Sequence, residues 1–140
     1  MKRVLSLLLV IFMLPSMAVP GYAAEVDTPV VTPRYTHIHT NRVVIVINET
    51  TGIAQCSSYC YTVGNYNVEV VCRLQRYSGG MWSTIKSWSA TGTQYARAYG
   101  EWAVASGYTY RAYTTYYVRD SAGNLLENAS SSDSYSYPKQ

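Results

Sequence analysis

Three thiols, two imidazoles and eight carboxylates are the groups in this chain that could make or break bonds. The thiols belong to Cys56, Cys60 and Cys72. A cysteine nucleophile needs a neighbouring base, and Cys60 with either histidine is the pairing on offer. Nothing local shapes such a nucleophile: no strand-to-helix elbow, helix N-terminus or glycine-rich phosphate loop accompanies these residues. His37 and His39 put two imidazoles on one face of an extended segment, but no third ligand follows at a spacing a metal would use. The carboxylates are Glu25, Asp27, Glu49, Glu69, Glu101, Asp120, Glu127 and Asp133. No two stand out as a general acid and base, although such pairs are often distant in sequence. These groups argue for a protein that binds rather than catalyses, with no catalytic, metal or cofactor site expected.

The aromatic residues offer another chemistry. In LQRYSGGMWSTIKSWS (74–89), Trp82 and Trp88 stand six residues apart, with Arg73 and Lys86 nearby. Flat rings beside cations would suit sugar rings or a protein partner. A second set is Tyr113 and Tyr117 with Arg111 and Arg119, alternating along one stretch. Ordinary cross-strand aromatic pairing is the favoured account of that second set.

These residues need elements to position them, and the chain first carries an address. MKRVLSLLLVIFMLPSMAVPGYAA has a basic start, an almost unbroken apolar run and small residues before a cut after Ala23, or next after Ala24, the three parts of a secretory signal peptide. The apolar run is shorter than the ~20 residues a spanning helix needs. The expected product is an exported, soluble chain without stable membrane insertion. Loss of Lys2 and Arg3 lowers the basic residues from 11 to 9 against 8 acidic ones, and the net charge from +3 to +1. So little basic excess gives nucleic-acid binding no electrostatic support. The sequons at Asn48 and Asn128 matter only in a host that glycosylates.

After a flexible lead-in at 24–33, strand and turn signals alternate. The 15 tyrosines against one phenylalanine suit sheets whose rings pack while their hydroxyls reach out. The readings are strands at 43–47, 53–62, 68–76, 81–89, 93–104, 108–119 and 125–137, followed by a tail at 138–140. Val68, Val70, Cys72 and Leu74 alternate with polar partners, so one face of the third strand is buried. Seven strands in a single domain at 34–137 predict an all-β fold, an immunoglobulin-like antiparallel β-sandwich; a barrel is the alternative. Export would place the cysteines in an oxidising setting, where one disulfide can form. On one extended strand Cys56 and Cys60 would be about 13 Å apart, so Cys56 with Cys72 is the preferred pair. Three small buried side chains without a bridge are the alternative.

Arg34-Tyr35-Thr36-His37-Ile38, Gly52-Ile53-Ala54-Gln55-Cys56, Leu74-Gln75, Gly80, Trp82, Trp88-Ser89 and Gly92 form a recurring pattern with Gly107-Tyr108-Thr109-Tyr110-Arg111 and Asp120-Ser121-Ala122-Gly123. The pattern resembles a family of small exported β-sandwich proteins of Gram-positive bacteria, a domain of unknown function. That resemblance implies export and an all-β fold; the family has no assigned activity and no functional residues to carry over.

Whether the tryptophans are core or surface turns on one hairpin. With Ser78-Gly79 as a two-residue loop, both fall on the wet face. With Ser78-Gly79-Gly80 as a three-residue loop, Trp88 faces Val70, Trp82 faces Arg76, and both join the core. A one-residue slip exchanges the faces. Burial of so large a ring favours the core by several kcal/mol, at roughly 25 cal/mol per Å². The functional expectation is a secreted binding module for a glycan or envelope protein. The alternatives are a self-assembling surface protein that uses the serine-rich last strand as an open edge, and a bacteriocin-type effector.

Overall fold

The computed structural model describes residues 34–140; the signal peptide and lead-in expected at 1–33 lie outside the described residues. Seven strands follow one another: β1 (Ile38–Asn48), β2 (Ile53–Thr62), β3 (Asn67–Ser78), β4 (Met81–Thr93), β5 (Tyr95–Ala103), β6 (Tyr108–Arg119) and β7 (Leu125–Tyr137). They divide into a three-stranded sheet, β1-β2-β5, and a four-stranded sheet, β4-β3-β6-β7, with every ladder antiparallel. The all-β sandwich expected from the sequence is therefore the fold. One detail departs from constant-type immunoglobulin domains, where the fourth strand pairs with the fifth. Here a tight hairpin keeps β4 beside β3.

Alternation decides what lies between the sheets. Val68, Val70, Cys72 and Leu74 from β3 meet Tyr110, Ala112, Thr114, Tyr116 and Val118 from β6 and Ala54, Cys56, Ser58 and Cys60 from β2, all buried. Tyr110 and Tyr116 are the largest fully buried side chains, and each finds a polar partner for its hydroxyl. Tyr110 donates to the Ala105 carbonyl at 2.8 Å, a contact like that at the corner before the sixth strand of immunoglobulin-type sandwiches. The Tyr116 hydroxyl meets Ser131 at 2.9 Å. Ser58 and Thr114 share a hydrogen bond of 2.6 Å in mid-core, so these buried hydroxyls are satisfied.

The Cys56–Cys72 bridge expected from the sequence is not present: all three cysteines are buried free thiols. Cys56 and Cys72 interact across the gap between the two sheets. This raises the Cys56 pKa, as burial also does, and lowers that of Cys72. Burial, with Glu127 nearby, pushes the Cys60 thiol up to about 11.

Of the boundaries that differ from the sequence reading, two have identifiable reasons. β1 starts at Ile38 rather than at 43 because the Glu127 carboxylate on β7 accepts the backbone N–H groups of Thr36, His37 and Ile38, each at 2.8 Å. Burial would raise that carboxyl's pKa, but the three donors outweigh it and hold it below the ordinary value. Farther along, Asp133 accepts the Ile45 N–H at 3.0 Å, and Tyr137 donates to the Glu49 carbonyl at 3.0 Å. Partners rising together along both strands mean that β1 and β7 run in the same direction. The second difference is the passage from β4 to β5, which needs one residue. Gln94, at φ +64°, is the only non-glycine residue with positive φ among the described residues. Its carbonyl accepts from the Thr62 N–H, and its own N–H donates to Tyr66, so the corner is fixed from both sides.

Candidate functional site

The β3–β4 hairpin turns on Gly79 and Gly80, at φ +59° and +81°, with Ser78 opposite Met81. Two successive positive φ values give the twist that a two-residue hairpin prefers. Neither loop expected from the sequence is the one formed. From this turn Tyr77 faces Trp82 and Gln75 faces Thr84, and then the register shifts. Ile85 is the extra residue of a β-bulge, after which Leu74 faces Lys86 and Cys72 faces Trp88. Trp82 and Trp88 therefore lie on opposite faces of the sheet. Their shared parity, which put them on one face, holds only for an uninterrupted strand.

Trp88 points inward and packs against the core. Its indole lies on Gly100 of β5, where any Cβ would occupy the ring's own space. Lys86 leaves from the same side and sets its Nζ 4.5 Å from the centre of the Trp102 ring. Trp102 remains 42% exposed at this seam. The set Trp82, Trp88, Arg73 and Lys86 thus splits: Trp88 and Lys86 close the β4–β5 edge, while Trp82 and Arg73 face out.

The outward half joins the second expected set. Rows read from the ladders cross the four-stranded sheet: Trp82, Tyr77, Thr109 and Ser136; Thr84, Gln75, Arg111 and Ser134; Ser87, Arg73, Tyr113 and Ser132. Tyr117 lies farther along the same face, opposite Glu69 and Asn128. Arg111 is the hub. Its Nε donates to Gln75 Oε1 at 2.7 Å, and its guanidinium lies 4.2 Å from the centre of Trp82 and 5.1 Å from that of Tyr113. Tyr77 adds a tilted contact to Trp82 at 5.1 Å. Arg73 donates to Thr115 at 3.1 Å, and Arg119 sits over Tyr117 at 5.8 Å. No carboxylate pairs with these arginines among the described residues, where the one close approach of a carboxylate to a basic side chain is that of Glu127 to His37. Such a face can stack flat rings and donate to oxygen acceptors.

The bond-making groups are dispersed or engaged. His37 lies edge-on to Tyr66, and His39 is the bulged residue between Ile38 and Thr40, so the two imidazoles do not act together. Among the described residues no three metal-ligating side chains converge. Glu49, Glu101, Asp120, Glu127 and Asp133 each accept a hydrogen bond that fixes structure.

A second aromatic surface went unread in the sequence. On the outer face of β1-β2-β5, Ser57, Tyr59, Tyr61, Tyr95 and Arg97 line an open concavity of about 360 Å³. The alternation of Tyr59 and Tyr61, and of Tyr95, Arg97 and Tyr99, carries its signal. Another concavity, of about 410 Å³, lies at the sheet end between Asn67, Glu69, Thr91, Thr93 and Arg119. Comparison of the chain with protein-family models, curated proteins and solved structures finds no match.

Proposed function

We propose that the chain is exported and acts as a non-catalytic binding module, engaging a glycan or a cell-envelope protein through the outer face of β4-β3-β6-β7. The observation that carries this reading is the Arg111 guanidinium, held by Gln75 between Trp82 and Tyr113. A cation and rings fixed on a central sheet lose little freedom when a ligand docks. The signal-peptide pattern at 1–23 and the resemblance to exported Gram-positive proteins support the location. Nucleic acid is not the ligand in this reading, since the exported chain would carry a net charge of only +1. Self-assembly through β7 has weaker support, because Glu127 and Asp133 turn that strand's side chains onto β1.

Titration with an array of wall polysaccharides and envelope proteins tests the reading. Trp82→Ala and Arg111→Gln should each weaken the best binder about tenfold or more. Binding that survives both changes would remove this face from consideration. Export is checked by N-terminal sequencing of protein from the growth medium, which should begin at Ala24.

A further inference from the structure

We propose that the outer face of the three-stranded sheet is a second binding site, for an acidic polysaccharide, so that the sandwich presents two polymer-binding faces back to back. The site stands on its own geometry; the two-faced arrangement rests on the binding function proposed above.

The ladders order this face in rows. Thr40, Tyr61 and Tyr95 form one, Arg42, Tyr59 and Arg97 the next, and Val44, Ser57 and Tyr99 a third. Tyr61 and Tyr95 pack with centroids 4.4 Å apart and planes tilted by 33°, and Tyr59 meets Tyr61 edge-on at 5.8 Å. The rings are nonetheless open to solvent: Tyr61 is 45% exposed and Tyr95 37%. Aromatic faces of this kind take the C–H side of a sugar ring, and their hydroxyls and Ser57 meet its oxygens.

Charge chooses among sugars. Arg42 and Arg97 flank Tyr59 in the middle row, and neither pairs with a carboxylate among the described residues. Arg97 is aimed by a hydrogen bond from its Nε to Ser57 Oγ at 3.2 Å. The carboxylate on this face, Glu101, lies two rows away and is engaged by Gln55 and Tyr99. A guanidinium beside a stacked ring is placed to bind a uronate carboxylate with two parallel bonds. Two arginines would neutralise too few phosphates for a nucleic-acid strand. The concavity of about 360 Å³ falls at the small end of ligand sites, suited to one or two sugar rings of a longer chain.

The test follows tyrosine-ring NMR signals of the full chain during titration with polygalacturonate and with alginate. Neutral dextran, polyglutamate and oligothymidylate serve as controls. Both acidic polysaccharides should shift Tyr61 and Tyr95, and Arg97→Gln should weaken this about tenfold. Trp82→Ala with Arg111→Gln should leave these shifts intact, which separates this site from the other face. If the first site also binds, wild-type protein should turn polygalacturonate solutions turbid while either single-site variant leaves them clear. Unmoved Tyr61 and Tyr95 signals with both acidic polysaccharides would overturn the site. Equal shifts with polyglutamate would reduce it to charge attraction, and tighter binding of oligothymidylate would make it a nucleic-acid surface; either result rejects the proposal.

Discussion

Trp88 and Gly100 show how much one side chain can fix. The indole occupies the space a Cβ at position 100 would need, so Gly100→Ala forces the ring or the strand to move. Its expected cost is about 1–3 kcal/mol, read as a lower urea midpoint with redder emission from Trp88. Gln94 offers the reverse case. Its left-handed backbone strains a side chain that glycine would not carry, so Gln94→Gly should stabilise the fold by up to about 1 kcal/mol in the same assay. The inward rows of β3 and β6 were legible because each alternates cleanly over its whole length. The fate of the two tryptophans was not, because a single unpaired residue, Ile85, resets parity between them. Acrylamide quenching exposes the split: Trp82→Phe should reduce the quenchable emission while leaving that of the exposed Trp102, whereas Trp88→Phe should remove the more protected part.

Strands came through the sequence better than their attachments. Turn residues and period-two patterns located all seven, but the start of β1 depends on Glu127, 89 residues away from Ile38. Polar residues such as His39 and Asn41 give no apolar signal for a strand there, and no local rule links them to a distant carboxylate. Glu127→Gln keeps one accepting oxygen but sets an NH2 group, itself a donor, where the other met the backbone N–H groups. Glu127→Gln should cost about 2–3 kcal/mol at neutral pH. Because the folded pKa of Glu127 is depressed, its contribution is complete above the ordinary carboxylate value and fades as pH falls through the folded one. Urea midpoints taken from pH 7 down to pH 3 should converge for the wild-type and Glu127→Gln proteins. A gap that stays constant would mean the carboxylate's charge is not what matters.

At the scale of the molecule, the sandwich encloses all three thiols and ties its outer strands across the gap. Cys56, Cys60 and Cys72 are fully buried, so a thiol reagent should reach them only when the whole domain opens. Labelling rates in graded urea should therefore follow global unfolding, and fast labelling of one cysteine in native buffer would reveal a local opening. The two-sheet class was legible because composition, alternation and turn spacing all agree on it. Which strand borders which was not, since a two-residue glycine turn decides the place of β4. The parallel course of β1 and β7 carries a mechanical consequence. Tension applied between the start of β1 and the end of β7 would slide the two strands lengthwise past each other. The Glu127, Asp133 and Tyr137 contacts would then be loaded together rather than peeled one at a time. Held at both ends, the domain would resist pulling as a shear clasp, and acid, by protonating Glu127, would loosen its grip.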